Sequence, residues 1–530
     1  MEEIFNIIID DEIIQLLRPF QVEHTQTLIH SIRKNNVALD GSDTGTGKTY
    51  TAVAIFKQCR NRPFILCTKS IITSWFQVCR IFDVEPLGIS NYELLKLGKY
   101  YTSEVEFLSG HSVLCPYIHK IERPRQDKDG NILMREGIVL MEHMGYEWRL
   151  PENTIITVDE VHKAKNGVSA TKTSGNSKLV ASIRDRPANI KCLILSATVS
   201  EKISHFATPA YLLGFYDTYD KKTFNRFLRR LTGDKLLTLH QMIFPNYGSR
   251  MSIDDIKKLT GNVVFGLNDI KTKIEKIDDE AKAAIDEAYM EIKIAAEQLR
   301  RREILASCYL EILIRCRQRI ELLKVPIFVK LIERYIRANK SVVVFANFNA
   351  TLNASVAAMD KLGGVFHQYD FVRGGQSSSE RDEIIARFKQ DEIRILFCNV
   401  AAGGESISLH DENGVYPRVS LINLTWSAMN LKQILGRIYR TNTRTPCKQR
   451  LVYVECGIEK MMASAISIKL KNIAILNDGD IQFENFMDVI DEQPPPVAVP
   501  IPAEAYDARP VQGGLNYLID FNHPNAYADM

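Results

Sequence analysis

Lys48 and Thr49 close the stretch Gly41-Ser42-Asp43-Thr44-Gly45-Thr46-Gly47-Lys48-Thr49, whose residue types point to one chemistry, the holding of a phosphate chain. Glycines let backbone N–H groups curl around an anion, a helix starting at the loop's end adds partial positive charge, and Lys48 supplies a mobile full charge. Asp43, Thr44, Gly45, Thr46 and Gly47 would form the cup, and the Thr49 hydroxyl could sit on Mg²⁺. Ser42 stands where the strict pattern has glycine, so the loop alone is also compatible with a chance glycine turn. Asp159 and Glu160 follow the run Thr154-Ile155-Ile156-Thr157-Val158, and a strand delivering two acids at its carboxyl end suits metal chemistry, because ligands of open parallel sheets bind at that edge. Asp159 would hold Mg²⁺ beside Thr49, and Glu160 would polarise an attacking water. The plain alternative is a solvated Asp-Glu pair. Arg437 and Arg440, three apart, would share one helix face and reach one anion; the alternative is a pair of surface arginines matched by carboxylates.

These residues need strands to deliver them. Val37-Ala38-Leu39 reads as a buried strand before the loop and Tyr50 to Cys59 as the helix after it. Pro63 to Ser70 followed by Ile71 to Val78 repeats the strand-then-helix rhythm of a parallel sheet, Gly88 to Leu95 holds the next strand end, and Cys192 to Leu195 is a strand ending in Ser196-Ala197-Thr198. Between them, 109–151 breaks the rhythm; Asp127-Lys128-Asp129-Gly130-Asn131 is a turn between two strands, which makes the segment a hairpin insertion. From 207 to about 338 the pattern is helical and irregular, with one or two long helices over Asp278 to Leu323 carrying Arg300, Arg301, Arg302, Arg315, Arg317 and Arg319. Such arginines could touch a nucleic-acid backbone, although a solvated helix face is the commoner explanation. A second strand-helix series runs through Ser341 to Ala346, Val365 to Tyr369, Arg394 to Cys398 and Ser420 to Leu424. The tail from Asp491 is acidic and proline-rich and is expected to be disordered, with Gly513 to Phe521 as an apolar exception that could dock on its own protein or on a partner.

A chain of 530 residues exceeds one core, and its 45% apolar and 25% charged residues are those of a water-soluble globular protein. A net charge of +3 neither demands nor excludes nucleic acid. Ten cysteines without a C-x-x-C pair indicate neither a zinc site nor a disulfide framework. The acidic start Met1-Glu2-Glu3-Ile4 and the lack of a spanning apolar run lead us to expect an intracellular protein of nucleus, host cytoplasm or virion, with no membrane contact.

Taken together, these residues resemble the superfamily 2 helicases and translocases, and among them the DExH-type Swi/Snf-like branch, over most of Leu17 to Glu455. Leu17-Arg18-Pro19-Phe20-Gln21 looks like the adenine-contacting segment, with Gln21 as the contact, and Ser42 to Thr49 matches the family's loop, which does not require the first glycine. Thr68, Lys69, Ser70 and Trp75 resemble a strand-gripping motif, with Thr68 where proline is usual. Asp159-Glu160-Val161-His162-Lys163-Ala164-Lys165-Asn166 is close to the branch's DEAH-x-x-KN string, whereas Ser196-Ala197-Thr198 has the general helicase form. Ala402-Gly403-Gly404 resembles a motif contacting nucleic acid through Gly403 and nucleotide through Gly404, with an unusual Glu405 beside it. Gln433-x-x-Gly436-Arg437-x-x-Arg440 matches the final motif, which implies a catalytic glutamine and two arginine fingers. Ser408-Leu409-His410-Asp411 is similar to helicases of large DNA viruses and phages.

The resemblance implies an α/β chain with two RecA-like parallel-sheet lobes in tandem: lobe 1 over 1–206, a helical region over 207–338, lobe 2 over 339–480 and the tail over 481–530. It implies an ATPase using Mg²⁺ between the lobes, with Lys48, Glu160, Gln433, Arg437 and Arg440 catalytic, and Thr68, Lys69, Trp75, Thr198 and Gly403 on nucleic acid, DNA before RNA. The alternatives are an ATP-gated scaffold that binds without turnover and the motor subunit of a transcription or remodelling complex.

Overall fold

In the computed structural model, which describes residues 7–127, 130–170, 173–260, 267–403, 407–440, 442–454 and 456–483, short runs of aliphatic residues form two parallel sheets. The first contains Val37–Asp40 (β1), Arg62–Cys67 (β2), Gly88–Asn91 (β3), Thr154–Asp159 (β4), Lys191–Leu195 (β5) and Gly248–Ser249 (β6), in the order β6-β1-β5-β4-β2-β3. Successive side chains of a strand point to opposite faces, and both faces are covered: in β2, Phe64 and Leu66 enter one apolar cluster while Ile65 and Cys67 enter another. Pro19–Asn35 (α1), Lys48–Gln58 (α2) and Ile72–Ile81 (α3) cover the second of these faces; Tyr92–Lys96 (α4) packs on the first. The order places β1, β5 and β4 side by side, so the loop after β1, the acids after β4 and the Ser-Ala-Thr turn after β5 share one edge.

The second sheet contains Asn268–Glu275 (β7), Ser341–Ala346 (β8), Tyr369–Val372 (β9), Ile395–Asn399 (β10), Arg418–Asn423 (β11) and Cys447–Val454 (β12), in the order β7-β12-β11-β8-β10-β9. All its pairings are parallel, so the chain is α/β with two RecA-like units in tandem. Three elements depart from the sequence expectation. The strand expected at Val365 to Tyr369 starts instead at Tyr369, because Gly363 and Gly364, both with positive φ, lead into a 3-10 turn over Gly364–His367. The region 207–338 is divided at Ser252: its first part supplies β6 to the first unit, and its second part supplies β7, whose isoleucine-polar alternation marks a strand. Residues 473–481 return to the first unit rather than closing the second. The proline-rich tail from residue 484 lies outside the described residues.

The insertion at 109–151 is a hairpin, Ile118–Pro124 antiparallel to Met141–Trp148, with a bulge between Ile121 and Glu122. Its base is anchored where Trp148 enters the core and its indole N–H donates to the Ser182 hydroxyl at 2.9 Å. Its far end divides into two turns, one closed by the Gln126–Ile132 bridge and one between Met134–Arg135 and Ile138–Val139. The run from Asp278 to Leu323 is two helices, Asp279–Arg300 (α5) and Ala306–Leu323 (α6). Arg300 and Arg301 pair with Glu297, Arg315 with Glu291 and Arg319 with Glu287, which accounts for them as solvated helix faces. No helix among the described residues is long and apolar enough to cross a membrane.

At the carboxyl ends of β8 and β11, a side chain from α6 ties two strands together. Glu321 is buried and accepts from the backbone N–H of Phe348 at 3.0 Å and of Asn347 at 3.3 Å, from the Asn347 amide at 2.8 Å, and from the Asn423 amide. Truncation to alanine would leave these donors unpaired in the interior. Glu321→Ala should therefore lower the unfolding free energy by about 3 kcal/mol, measured by urea denaturation, and a loss well under about 1 kcal/mol would contradict the anchoring role.

Candidate active site

The phosphate loop leaves β1 and enters α2 through Gly47, which caps the helix at φ 90° and ψ 32°. That left-handed conformation favours glycine, and a Cβ there would fall 2.4 Å from the Gln21 amide nitrogen. Gln21 sits in the first turn of α1, accepts from the Arg18 N–H at 2.8 Å and donates to the Thr46 carbonyl at 3.0 Å. The expected adenine contact is thus engaged here in gripping the loop from behind. Lys48 Nζ donates to the carbonyls of Ser42 and Asp43 at 2.9 and 3.1 Å, within the cup it was expected to complete.

Beneath the loop lies a buried polar group that the sequence reading missed. His24 Nε2 is 3.2 Å from both Asp40 Oδ1 and Ser42 Oγ, and its Nδ1 is 2.8 Å from Ser249 Oγ. Burial pushes the Asp40 carboxyl up, but His24 and then Lys48 and Ser42 outweigh it and hold the group below the usual carboxylate range. The signal was present: His24 lies one turn after Gln21, a second polar residue on the inward face of α1.

Asp159 and Glu160 leave β4 as expected, and Glu160 has φ 56° and ψ 53°, a region that side chains other than glycine seldom occupy. Glu160 Oε2 is 3.1 Å from His162 Nδ1, which is also 3.3 Å from Ser196 Oγ, so the acid string meets the Ser-Ala-Thr turn directly. Tyr92, another residue missed, donates its hydroxyl to the Asp159 carbonyl at 2.7 Å and fixes the strand end. Lys165 and Glu201, both buried, lie 3.7 Å apart.

The expected nucleic-acid contacts need correction. Trp75 is fully buried against Phe56, and its indole N–H donates to Asp159 Oδ2 at 3.1 Å; it orients the acid instead of meeting a strand. Thr198 is 1% exposed, so it too lies inside the unit. Thr68 is nearly buried and within 3.3 Å of the Ser70 hydroxyl, and Lys69 alone among these four faces solvent. Gly403 ends a short helix over Val400–Gly403, while Gly404 and Glu405 lie outside the described residues.

In the second unit, the helix over Ala428–Leu435 (α7) carries Gln433, which is buried, and stops at Gly436. Arg437 and Arg440 therefore do not share a helix face. They converge all the same: Arg437 Nη1 and Arg440 Nη2 donate to the Ile407 carbonyl at 3.1 and 3.0 Å. Desolvation pushes Arg440 down to about 10, and among the described residues no carboxylate pairs with it. Among the described residues the partly buried Arg440 guanidinium bonds this one carbonyl, unlike Arg418, which Asp391 neutralises at 2.7 Å.

Thr49 and Asp159 are hard oxygen donors, and no cluster of three or more His, Cys, Asp or Glu side chains able to hold a metal occurs among the described residues. That donor set fits Mg²⁺, which keeps several waters and shares substrate phosphates.

Residues 324–442 match the family model of the helicase conserved C-terminal domain. A protein of Acanthamoeba polyphaga mimivirus that carries the name of an ATP-dependent RNA helicase is 32% identical over 485 residues, spanning 88% of this chain and 84% of its own. Among solved structures, Saccharomyces cerevisiae Dbp5 bound to RNA and ADP BeF3 aligns at 9% identity and TM-score 0.44, covering 89% of this chain and 93% of that one. The Sulfolobus solfataricus SWI2/SNF2 ATPase core in complex with dsDNA aligns at 13% identity and TM-score 0.31, covering 88% and 94%.

Burial first, and then the charge of Glu160, push the Asp159 carboxyl from its ordinary 3.8 up to about 7, with Lys48 and the Trp75 hydrogen bond opposing. The folded state then holds a proton that the unfolded state has released, so this group makes the nucleotide-free protein less stable as pH rises from 3.8 to about 7. Thermal unfolding of wild type against Asp159→Asn should show the wild type losing ground across that window and a constant difference above it; a difference moving the other way would remove the assignment.

Proposed function

This chain belongs to the superfamily 2 helicases, ATP-dependent nucleic-acid motors, and from that premise we propose that it is a Swi/Snf-like translocase whose substrate is duplex DNA. The observation that supports the motor most directly is the convergence of Lys48, the Asp159-Glu160 pair and Ser196 on the adjoining carboxyl ends of β1, β4 and β5. The Asp159 to Asn166 string favours the DNA branch. The name of the mimivirus relative favours RNA, and that is the second reading.

In this reading Lys48 would exchange its carbonyl partners for ATP phosphates, and Thr49 with Asp159 would hold Mg²⁺. When bound, the metal would neutralise phosphate charge. Glu160, oriented through His162, takes the attacking water, and Arg437 and Arg440, carried by the second unit, meet the charge on the γ-phosphate. Retention of Glu160 and both arginines argues against a scaffold without turnover.

ATP hydrolysis measured with no nucleic acid, single-stranded DNA, duplex DNA and RNA tests the substrate: duplex DNA should stimulate most, and greatest stimulation by RNA would replace this reading with the second. Arg440→Ala separates binding from chemistry. An arginine finger contributes on the order of 10³ to 10⁵ in rate, so hydrolysis should nearly vanish while ATP affinity falls far less. Near-normal turnover in this variant would remove its catalytic role.

A further inference from the structure

Arg250 joins the phosphate loop to the end of the last described helix, Gly457–Asp478 (α8), whose final residues belong to the first unit. Its side chain is buried. Nη2 donates to Asp43 Oδ1 at 2.9 Å, Nη1 to the Gly41 carbonyl, and Nε to Asp478 Oδ1 at 2.5 Å. One guanidinium thus spends its fork on two positions of the loop and on one carboxylate 228 residues away in sequence.

The backbone around Arg250 is shaped for this. β6 runs parallel to β1, with Leu39 opposite Gly248 and Asp40 opposite Ser249, and the ladder continues past the strand: Gly41 N–H donates to the Ser249 carbonyl and Asp43 N–H to the Met251 carbonyl, both at 3.0 Å. The Met251 N–H returns a bond to Ser42 Oγ at 3.0 Å. The approach requires glycine at 248, where a Cβ would lie 2.1 Å from the Leu39 carbonyl oxygen. At the far end, the amide of buried Asn477 donates to the Ala197 carbonyl of the Ser-Ala-Thr turn at 2.9 Å, and Leu476 lies in the first unit's core. The end of α8 therefore touches the Ser-Ala-Thr turn directly and the phosphate loop through Arg250.

The electrostatics give the contact a purpose. Asp43 is a carboxylate inside a loop built to receive a polyanion, and an uncompensated charge there would repel phosphate. Asp478 is an acid at a helix C-terminus, where the helix dipole disfavours it. Arg250 answers both, and two carboxylates in return offset the cost of burying its charge.

We propose that Arg250 is a positioning residue for ATP, holding Asp43 and the phosphate loop in their receptive form, and that Asp478 is its counter-clamp, making residues 473–481 part of the nucleotide site. This rests on the reading of the loop as an ATP site. A fluorescent ATP analogue titrated into full-length wild type, Arg250→Gln, Arg250→Lys and Asp478→Asn, with thermal unfolding run in parallel, tests it. Affinity should fall on the order of tenfold in Arg250→Gln and about threefold in Asp478→Asn, with partial recovery in Arg250→Lys. The double variant Arg250→Gln/Asp478→Asn should be no worse than Arg250→Gln alone, because the two residues act as one unit. Unchanged affinity in Arg250→Gln and Asp478→Asn, with or without a lower Tm, would overturn the positioning role alone. A wild type that binds no nucleotide would remove the ATP-site reading and this one together.

Discussion

A loop that turns its backbone N–H groups toward one anion cannot pair them within itself, so its shape must be imposed by its surroundings. The first unit supplies that restraint from several sides. Gln21 of α1 holds the Thr46 carbonyl, the segment following β6 extends a parallel ladder along Gly41 and Asp43, and Lys48 folds back on Ser42 and Asp43. Below, the buried His24, Asp40 and Ser42 and the half-buried Ser249 contact one another, so the floor of the loop is a connected polar group.

The acids on the neighbouring strand obey the opposite logic. Two adjacent carboxylates at a buried edge disfavour each other's charge, and Glu160 adds a backbone conformation that side chains rarely adopt. Nothing in ordinary packing rewards this arrangement. Trp75 and Tyr92 hold it by hydrogen bonds, His162 lies 3.1 Å from Glu160, and a divalent cation with phosphate would relieve it.

Buried charges of the second unit are partnered in different ways. Glu321 is saturated by four donors, Lys324 is buried against Glu459, and Arg418 is neutralised by Asp391. The charges of Lys324 and Arg418 are each matched by a carboxylate within the unit, and the donors around Glu321 fix strand ends. Among the described residues the Arg440 side chain bonds a single carbonyl, that of Ile407, and desolvation holds its pKa below the usual arginine range.

Because apolar runs, glycine spacing and strand-end polarity are local signals, the sequence already carries the two parallel sheets, the loop, the acids at the end of β4 and the rough place of most strands. It placed the arginines at 300–319 on helices and allowed for their plain role as a solvated face. What it could not reveal depends on residues far apart in the chain. Trp75 resembles a strand-gripping residue until α3 is seen packed inward on α2, and Arg440 reads as helical until Gly436 is seen to end α7. β6 is two residues long, too short for any periodicity, and exists because β1 has an edge for it to pair with. The joining of Asp43, Arg250 and Asp478 likewise has no local signature: three charged residues spread over most of the chain become one unit only when the fold buries the guanidinium between two carboxylates.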